Sequence, residues 1–333
     1  MTLSIVILCW NDLKVISDCI ASIYAGTHQT EFEIMVSDNG STDGSIDFIR
    51  ERFPDVKVIE NGRNLRFAKG NNVGIQASSG KYILILNPDT VIHDGCLDKI
   101  IGFAEEHTEA GAFSCRVLNA DGTFQNCVRP LYTLRTEWCL ALGLRPLAYF
   151  SDWFQPGEYV GWQGDSKRVI GWAAGCFILA RSDLLKRLGG FDETFFYFYE
   201  DTDLCRRIWD AGYSILYTPD ASITHLGGQS TNKRLPPMAF ALDGLVTRYL
   251  YFYKYYGLKG TRSCRRAALT SFFLRWLQTV IVQLVRPTEA GRKRQESLRT
   301  LLGWNYRLDV ARLVSTGEEP ELHVKLEGRV VER

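Results

Sequence analysis

The sequence contains no C-x-x-C pair among its nine cysteines, and their odd number and irregular spacing form no disulfide framework. Cys9, Cys115 and Cys176 lie inside apolar runs, where a free thiol behaves as a small buried hydrophobe. The N-terminal segment MTLSIVIL shows neither a basic region nor a cleavage site ahead of its strand pattern. These absences argue against a disulfide-stapled secreted domain and predict reduced cysteines in a cytoplasmic protein.

The chain also carries little net charge, +1 over 333 residues, but this small value hides a strong asymmetry. Residues 1–244 have a balance of −8, residues 245–312 a balance of +11, and the remaining tail a balance of −2. A basic segment on an otherwise acidic protein indicates a separate surface for an anionic partner. Because no aromatic-basic RNA motif or zinc-finger spacing accompanies it, we expect no nucleic-acid partner.

An apolar stretch at residues 267–285 is interrupted by Arg275, Gln278 and Gln283, which argues against a membrane span. Placed on a helix, its apolar side chains share one face: Phe273, Trp276, Leu277, Val280 and Leu284. The opposite face is polar: Ser271, Arg275, Gln278 and Thr279. Such a helix suits the lipid interface, and packing against the rest of the protein is the alternative. The positive balance favours the membrane, so we predict a membrane-associating helical region at 241–312 and a tail at 313–333.

Short apolar runs alternate with helix-length segments over the first 120 residues. The continuous apolar runs suit parallel strands that are covered on both faces, and they occupy residues 4–8, 33–37, 57–59 and 82–86. The helical segments occupy residues 12–25, 42–53, 68–78 and 94–107. This alternation predicts an α/β domain over residues 1–240 with a doubly wound, mostly parallel sheet that binds ligands at the carboxyl ends of its strands. Residues 121–168 are irregular and are predicted to form loops over that edge.

Polar segments follow three of the predicted strands at that edge: Cys9–Asp12, Asp38–Gly44 and Asn87–Asp89. Asp38 can accept a hydrogen bond from the N–H of a pyrimidine base, although the following Ser41 and Thr42 equally suit a simple helix cap. Asn87 and Asp89 end another strand two residues apart. A carboxylate there suits a divalent cation shared with diphosphate oxygens, while Asn-Pro-Asp is also a turn signal.

The segment FFYFYEDTDLCRR places three carboxylates directly after five aromatic residues: Glu200, Asp201 and Asp203. The helix macrodipole explains acids at a helix start. Aromatic faces also stack on sugar rings, and a carboxylate beside them can take the proton of an acceptor hydroxyl. Farther along, His225 is either a metal ligand through its neutral imidazole or a structural residue.

In their order and spacing these segments resemble family 2 glycosyltransferases of the inverting GT-A type, and among them the bacterial rhamnosyltransferase-like branch that builds cell-surface polysaccharide. The resemblance covers about residues 1–232 and implies a Rossmann-like GT-A catalytic domain. It rests on seven segments: SIVILCWND, VSDNGSTDGS, NLRFAKGNNVGI, LILNPDT, GWAAGCFILARSDLLKRLGGFDE, FFYFYEDTDLCRR and ITHLGGQST.

The resemblance also implies roles for individual residues. Asp38 is similar to the carboxylate that holds the pyrimidine base, and Asp89 to the metal-binding acid of the family's D-x-D motif. Asp201, preceded by Glu200, is similar to the catalytic base, and His225 to a histidine that joins the metal in some relatives. The other residues expected to line the donor are Trp10, Asn11, Asn64, Asn71, Asn72 and Asn87.

The sequence departs from the family pattern at two positions. Asn87 replaces the first acid of D-x-D, so binding of Mg²⁺ or Mn²⁺ depends on Asp89, the donor diphosphate and His225. Arg66 stands where the family commonly has glycine, and it either contacts the donor diphosphate or is simply exposed.

These features predict an inverting glycosyltransferase that uses a dTDP- or UDP-sugar, with dTDP-rhamnose favoured by the resemblance, and a glycan or polyprenyl-diphosphate-linked acceptor. Asp201 is expected to take the acceptor proton while the metal offsets charge on the diphosphate. The basic region is expected to hold the enzyme on the anionic cytoplasmic face of the plasma membrane. A nucleotidyltransferase is the alternative enzyme, but the chain has no Gly-rich triphosphate loop. A binding protein without turnover is the other alternative, and the presence of both Asp89 and Asp201 speaks against it.

Overall fold

The computed structural model describes residues 1–195, 198–227, 237–316, 325–326 and 329–330. The chain divides into two compact units. The first contains Met1–Leu131 and Gly161–Arg234, and the second contains Tyr132–Val160 and Leu235–Arg333. Residues 132–160 therefore group with the C-terminal helices, whereas the sequence suggested loops within a domain of residues 1–240.

The strands are β1 (Leu3–Cys9), β2 (Phe32–Asp38), β3 (Lys57–Glu60), β4 (Tyr82–Leu86), β5 (Thr90–Ile92), β6 (Ala110–Leu118), β7 (Val128–Arg129), β8 (Arg168–Val169), β9 (Trp172–Ala173), β10 (Phe177–Arg181), β11 (Ser214–His225), β12 (Lys325–Leu326) and β13 (Arg329–Val330). The α-helices are α1 (Leu13–Gly26), α2 (Ser45–Arg52), α3 (Arg66–Ala77), α4 (Cys96–Glu106), α5 (Leu134–Ala141), α6 (Ser182–Arg187), α7 (Glu200–Asp210), α8 (Pro237–Val285), α9 (Glu289–Arg307) and α10 (Val310–Thr316). Short 3₁₀ helices occupy Arg145–Tyr149 and Asp152–Phe154.

Within the described chain, nine strands join in one sheet, in the order β3, β2, β1, β4, β10, β6, β11 and β5, with β8 beside β11. The longest ladders, between β1 and β2 and between β6 and β11, are parallel. Strand β10 enters antiparallel between β4 and β6. The predicted doubly wound α/β sheet is confirmed.

Helices cover both faces of this sheet, which explains the continuous apolar strands. Ile5 and Ile7 of β1 belong to one buried core with Ile16 and Ile20 of α1. Val6, on the opposite face of the same strand, lies against α3. A strand buried on both faces needs apolar residues at every position, because neither face meets water.

The strand register brings several chain segments to one edge of the sheet. Cys9, at the end of β1, pairs with Asp38, at the end of β2. Because β10 is antiparallel, its first residue, Phe177, pairs with Leu86, the last residue of β4. An antiparallel strand therefore delivers the residues that precede it, including Cys176, to the edge where the parallel strands end.

Strand β11 begins at Ser214 and continues past Tyr217 to His225. Its pairing with β6 shifts register between Thr218 and Ser222, where the segment TPDA interrupts the apolar alternation. The extension pairs His225 with Thr90 of β5, directly after Asp89.

In the second unit, α5 packs against α8, and this packing explains why residues 132–160 are not simply loops. Glu137 of α5 is buried and forms an ion pair with Arg248 of α8. The indole Nε1–H of Trp138 donates a hydrogen bond of 3.1 Å to the hydroxyl of Ser263. These partners are far away in sequence, so local patterns do not reveal them.

Helix α8 is kinked at Gly257, where the backbone angles, φ 62° and ψ −172°, are not helical. Before the kink, Tyr249, Tyr251 and Phe252 are completely buried. After it, Thr261, Cys264, Ala267 and Ala268 are still buried, and the exposed apolar side chains begin farther along: Phe273, Leu274, Leu277, Ile281, Val282, Leu284 and Val285. By length and composition alone the segment Ala241–Val285 could cross a membrane, and only 11% of its most apolar window is buried.

Candidate active site

A cavity of about 420 Å³ opens at the edge of the sheet described above, within the first unit. Cavities of this size commonly hold small-molecule ligands. Eight of the sequence-predicted site residues line it: Trp10, Asn64, Arg66, Asn87, Asp89, Glu200, Asp201 and His225. The carboxylates of Asp89 and Asp201, far apart in the chain, thus face a common space.

Two predicted donor residues beside β1 and β2 are not among the cavity-lining residues. The carboxylate of Asp38 accepts hydrogen bonds from the backbone N–H groups of Gly40 and Ser41, at 3.1 and 3.0 Å. Asn11 accepts a hydrogen bond from the Thr42 N–H at 2.8 Å. Both side chains therefore hold the turn that follows β2. Asn39, the neighbour of Asp38, lines the cavity instead.

The predicted residues Asn71 and Asn72 on α3 also lie outside the cavity lining. Asn71 is buried and donates to the Phe67 carbonyl within its own helix, at 2.9 Å. Asn72 binds Phe191 twice: it donates to the carbonyl at 2.9 Å and accepts from the N–H at 2.8 Å. Asn72 therefore fastens α3 to the loop before α7, which positions the cavity wall.

Asp89 and His225 form the polar end of the cavity. The Oδ1 atom of Asp89 lies 3.2 Å from Nε2 of His225, and both side chains are largely buried. On the other ring nitrogen, Nδ1, the imidazole bonds to Oε1 of Gln125 at 2.7 Å. Burial opposes the charged imidazole, but hydrogen bonds with Asp89 and Cys127 outweigh it and raise the pKa of His225 to about 9.

These residues fit a divalent cation. A carboxylate oxygen and an imidazole nitrogen converge in the cavity, and the amide oxygen of Gln125 holds the remote nitrogen of His225 as second-shell groups hold metal-ligating histidines. Asn87 lies alongside, with Nδ2 3.4 Å from the same Nε2 atom. A cation bound here would take the place of the direct contact between Asp89 and His225.

Glu200 and Asp201 begin α7 at the cavity wall. The N–H groups of Gly175 and Thr202 donate to the two carboxylate oxygens of Asp201, at 3.2 and 2.6 Å. Oε2 of Glu200 is buried and has no hydrogen-bond partner within the described part of the chain. Burial raises the pKa of both carboxyls, and the charge of Asp201 helps to raise that of Glu200 to about 8.

The third acid of this segment, Asp203, has a different role. It is fully buried and forms an ion pair of 2.7 Å with Arg207, one turn later on α7. Arg207 also donates to the carbonyls of Leu188 and Gly190 at 2.9 and 2.7 Å. This network secures α7 to the preceding loop, so that the neighbouring Asp201 is held at the cavity.

Strained backbone conformations cluster around the cavity. Within the described chain, the non-glycine residues with positive φ are Asn11, Arg66, Phe198 and Tyr199, at 57°, 69°, 63° and 66°. Arg66 and Phe198 line the cavity, and Tyr199 immediately precedes Glu200. Left-handed conformations of such residues persist where the surroundings impose them, typically at functional sites.

The structure adds residues that the sequence did not single out for this site, including Asp12, Phe67, Cys127, Trp172 and Cys176. Cys127 stands out because a hydrogen bond to Cys176 and the nearby imidazole of His225 lower the pKa of its thiol to about 6. The spacing of these residues along the chain matches no metal or nucleophile motif. Their proximity depends on long-range strand order, so the sequence held no usable signal for them.

Comparison with known proteins identifies relatives of the chain. The family model described as glycosyl transferase family 2 matches residues 4–183. The N-acetylglucosaminyl-diphospho-decaprenol L-rhamnosyltransferase of Mycobacterium tuberculosis is 28% identical over 233 residues, covering 64% of this chain and 72% of that protein. The rhamnosyltransferase WbbL of Escherichia coli is 26% identical over 168 residues, covering 48% of this chain and 60% of that protein.

Solved structures share the fold at low sequence identity. The mannosyltransferase PcManGT from Pyrobaculum calidifontis, in complex with GDP-Man and Mn²⁺, has a TM-score of 0.55 at 15% identity, over 95% of this chain and 88% of that chain. S. aureus TarS 1-349, in complex with UDP-GlcNAc, has a TM-score of 0.53 at 15% identity, over 100% of this chain and 97% of that chain.

Proposed function

The chain belongs to glycosyl transferase family 2, and from this premise we propose that it moves a sugar from a nucleotide diphosphate donor to a hydroxyl group of a lipid-linked saccharide, with inversion at the anomeric carbon. The observation that carries the proposal is the single cavity lined by both Asp89 and Asp201. One acid serves the donor diphosphate and the other serves the acceptor hydroxyl. A protein that only bound sugar nucleotides would not need the second acid.

Asp201 is the proposed general base. The N–H and the hydroxyl of Thr202 both donate to Oδ1, and the N–H of Gly175 donates to Oδ2, which keeps a further lone pair for the acceptor hydroxyl. Burial raises its pKa, which makes the carboxylate a stronger base than an exposed aspartate. General-base assistance of this kind contributes about 10²–10⁴-fold in rate. The neighbouring Glu200, with its pKa raised to about 8, is mostly protonated at neutral pH and adds no second negative charge to the site.

Asp89 and His225 are the proposed ligands of Mg²⁺ or Mn²⁺. When bound, the cation supplies charge neutralisation for the departing nucleotide diphosphate. Arg66 on the rim of the cavity offers a guanidinium group for the same phosphate oxygens. The aromatic side chains of Trp10, Phe67 and Phe198 provide apolar walls against which the base and the sugar stack.

The choice of substrate follows from the relatives named above. Both names give a rhamnosyl group as the transferred sugar, and the name of the mycobacterial enzyme specifies L-rhamnosyl and N-acetylglucosaminyl-diphospho-decaprenol. We therefore assign a dTDP- or UDP-sugar as the donor, with dTDP-rhamnose first, and a polyprenyl-diphosphate-linked saccharide or other glycan as the acceptor. The product belongs to cell-surface polysaccharide.

The second unit supports a location on the anionic, cytoplasmic face of the plasma membrane. Its helix α8 exposes a run of apolar side chains after the kink, from Phe273 to Val285. Large exposed apolar surfaces mark interaction sites, and residues 245–312 carry a net charge of +11. Each Lys or Arg near an anionic surface contributes about 1 kcal/mol. This arrangement would bring the enzyme to a lipid-linked acceptor.

The direct test is a transfer assay with the full chain, a panel of dTDP-, UDP- and GDP-sugars, Mn²⁺ and a synthetic polyprenyl-diphosphate-linked saccharide. We expect dTDP-rhamnose to give a glycosylated lipid product whose new linkage has the anomeric configuration opposite to that of the donor. Retention of configuration, or the absence of transfer from every donor although one of them binds, would overturn the proposal.

A further inference from the structure

Two cysteines and a histidine meet at the polar end of the cavity. The Sγ atoms of Cys127 and Cys176 and a ring nitrogen of His225 lie within 4.8 Å of one another. Each comes from a different place in the fold: Cys127 precedes β7, Cys176 precedes β10, and His225 ends β11. All three line the cavity; Cys176 is buried, and Cys127 and His225 are partly exposed.

The geometry of this trio is close to that of a zinc site. With Zn–S distances of about 2.3 Å and Zn–N distances of about 2.0–2.1 Å, the ligand atoms of a tetrahedral site lie about 3.3–3.8 Å apart. Small rotations of the side chains would bring the observed atoms into that range. We propose that Cys127, Cys176 and His225 form a binding site for Zn²⁺, with the fourth coordination position open to the cavity.

The chemistry of the ligands separates this site from the proposed Mg²⁺ or Mn²⁺ site. Thiolate sulfur is a soft ligand that selects zinc, whereas Mg²⁺ and Mn²⁺ prefer carboxylate and water oxygens. Asp89 supplies the hard oxygen for the donor-linked cation, and the two thiols supply the soft ligands for Zn²⁺. His225 stands between them and can serve either ion.

Hydrogen bonds with Gln125 already orient two of the proposed zinc ligands. Oε1 of Gln125 lies 2.7 Å from Nδ1 of His225, and it accepts a hydrogen bond from the thiol of Cys127 at 3.1 Å. Gln125 is itself held, because its Nε2 donates to Oδ1 of Asn119 at 2.8 Å. Metal-ligating histidines characteristically bond a carbonyl or carboxylate oxygen through their remote nitrogen, which fixes the ring and leaves the other nitrogen for the metal.

The shared histidine has a regulatory consequence, which rests on the proposed function. Zn²⁺ bound to the two cysteines would take His225 away from Asp89, and the donor-linked cation would lose a ligand. Zinc is therefore expected to inhibit sugar transfer and to be displaced less easily by Mn²⁺ than by a chelator. The zinc site itself does not depend on which reaction the enzyme performs.

Cobalt spectroscopy on the full chain, treated with EDTA and then kept reduced, tests the site without any activity measurement. Co²⁺ should produce a thiolate-to-metal charge-transfer band together with the visible bands of tetrahedral cobalt, and one equivalent of Zn²⁺ should abolish both. The variants Cys127→Ser and Cys176→Ser should lose the charge-transfer intensity. Their Zn²⁺ affinity should fall by more than the roughly 10–100-fold that loss of a second-shell partner costs. Cys139→Ser, a buried cysteine of the second unit, is the matched control and should behave as wild type.

A second measurement uses the unaltered protein, so that it does not depend on the folding of the variants. Alkylation of Cys127 by iodoacetamide, followed by mass spectrometry, should slow strongly in the presence of Zn²⁺ and not in the presence of Mg²⁺. A cobalt spectrum without thiolate bands, or an alkylation rate of Cys127 that zinc leaves unchanged, would overturn the zinc site. Neither result would affect the glycosyltransferase proposal, whose own test is product formation.

Discussion

The backbone N–H of Gly175 donates a hydrogen bond of 3.2 Å to Oδ2 of Asp201. A Cβ atom at position 175 would lie 2.7 Å from the ring of Phe67, so any larger residue would force that ring to shift. On the other side, the N–H of Thr202 binds Oδ1 of Asp201 at 2.6 Å. Because these two donors belong to the main chain, with the Thr202 hydroxyl as a third donor at 3.3 Å, the backbone largely fixes the orientation of this carboxylate.

Replacement of Asp201 by asparagine should separate catalysis from binding. The amide cannot accept the acceptor proton, so we expect kcat to fall by about 10²–10⁴-fold while donor affinity stays near that of wild type. Asp210→Asn, the same chemical change at the exposed end of α7, is the control. Steady-state kinetics and donor calorimetry measure the two effects, and an Asp201→Asn variant with wild-type turnover would refute the assignment of the base.

The raised pKa of Glu200 predicts a dependence of stability on pH. The folded protein keeps a proton on this carboxyl up to about pH 8, whereas the unfolded chain releases it near the ordinary value of 4.5. Between these values the native state binds more protons, so the contribution of Glu200 to stability is lost as the pH rises. In Glu200→Gln this loss should disappear. Chemical unfolding at about pH 5 and about pH 8 measures it, with exposed Glu51→Gln as the control; identical pH dependence in wild type and Glu200→Gln would contradict the prediction.

Arg66 combines a left-handed backbone with a side chain at the rim of the cavity. Arg66→Gly should relieve the strain but remove the guanidinium group, so donor affinity should fall by about 10–100-fold while the free energy of unfolding changes by less than about 1 kcal/mol. Arg66→Ala should lose the same affinity and keep the strain, which makes it the less stable of the two. Donor affinity that survives in Arg66→Ala would show that the arginine does not bind the diphosphate.

Asp89 should account for the dependence of donor binding on metal. In wild type, Mn²⁺ should strengthen donor binding, and in Asp89→Asn this gain should shrink by more than roughly 10-fold, since a direct ligand matters more than a second-shell partner. Asp94→Asn, on the exposed surface nearby, is the control. The measurement is donor calorimetry with Mn²⁺ and with EDTA. Wild-type donor binding that ignores EDTA would remove the metal from the mechanism.

The exposed face of α8 should govern membrane binding. Replacing Phe273, Leu277 and Ile281 by serine removes three apolar side chains, each of which contributes about 1.5 kcal/mol or more on burial. Partitioning onto vesicles that contain phosphatidylglycerol should therefore fall by at least about 100-fold. Val169→Ser, an exposed valine of the first unit, serves as the control. Flotation in a density gradient provides the readout, and failure of the wild-type chain to float with anionic vesicles would contradict the membrane location.

Much of the fold and the central acids could be predicted because their signals are local. The strand before Asp89 is a continuous apolar run, and a parallel strand that ends in polar residues points to a binding edge. Asp201 lies at a helix start directly after an aromatic segment, which is again a local pattern. For Asp89 the end of the apolar run gives the strand end and the edge of the sheet, and for Asp201 the acidic segment after the aromatic residues gives the start of the helix; the roles of both acids come from the resemblance and stay predictions.

Other features depend on contacts that no local pattern records. The run of acids after the aromatic segment does not by itself distinguish Asp201 from Asp203; the resemblance singled out Asp201, and the burial of Asp203 follows only when its i,i+4 partner Arg207 reaches the carbonyls of the preceding loop. The carboxylate of Asp38 is bonded by its own turn, although its strand position suggested the cavity. The order of the strands in the sheet brings Cys127 to the site. Helix α5 is buried by packing against α8, which is far away in the sequence.

The backbone of Gly257 interrupts the helical conformation of α8. With φ 62° and ψ −172° the residue occupies a region that is open almost exclusively to glycine. The kink lets both halves of α8 hold the same residue of α9, because Tyr249 before it and Arg265 after it each donate a hydrogen bond of 2.9 Å to Asn305. A side chain at position 257 would disfavour the bend on which this shared attachment of the basic helices depends.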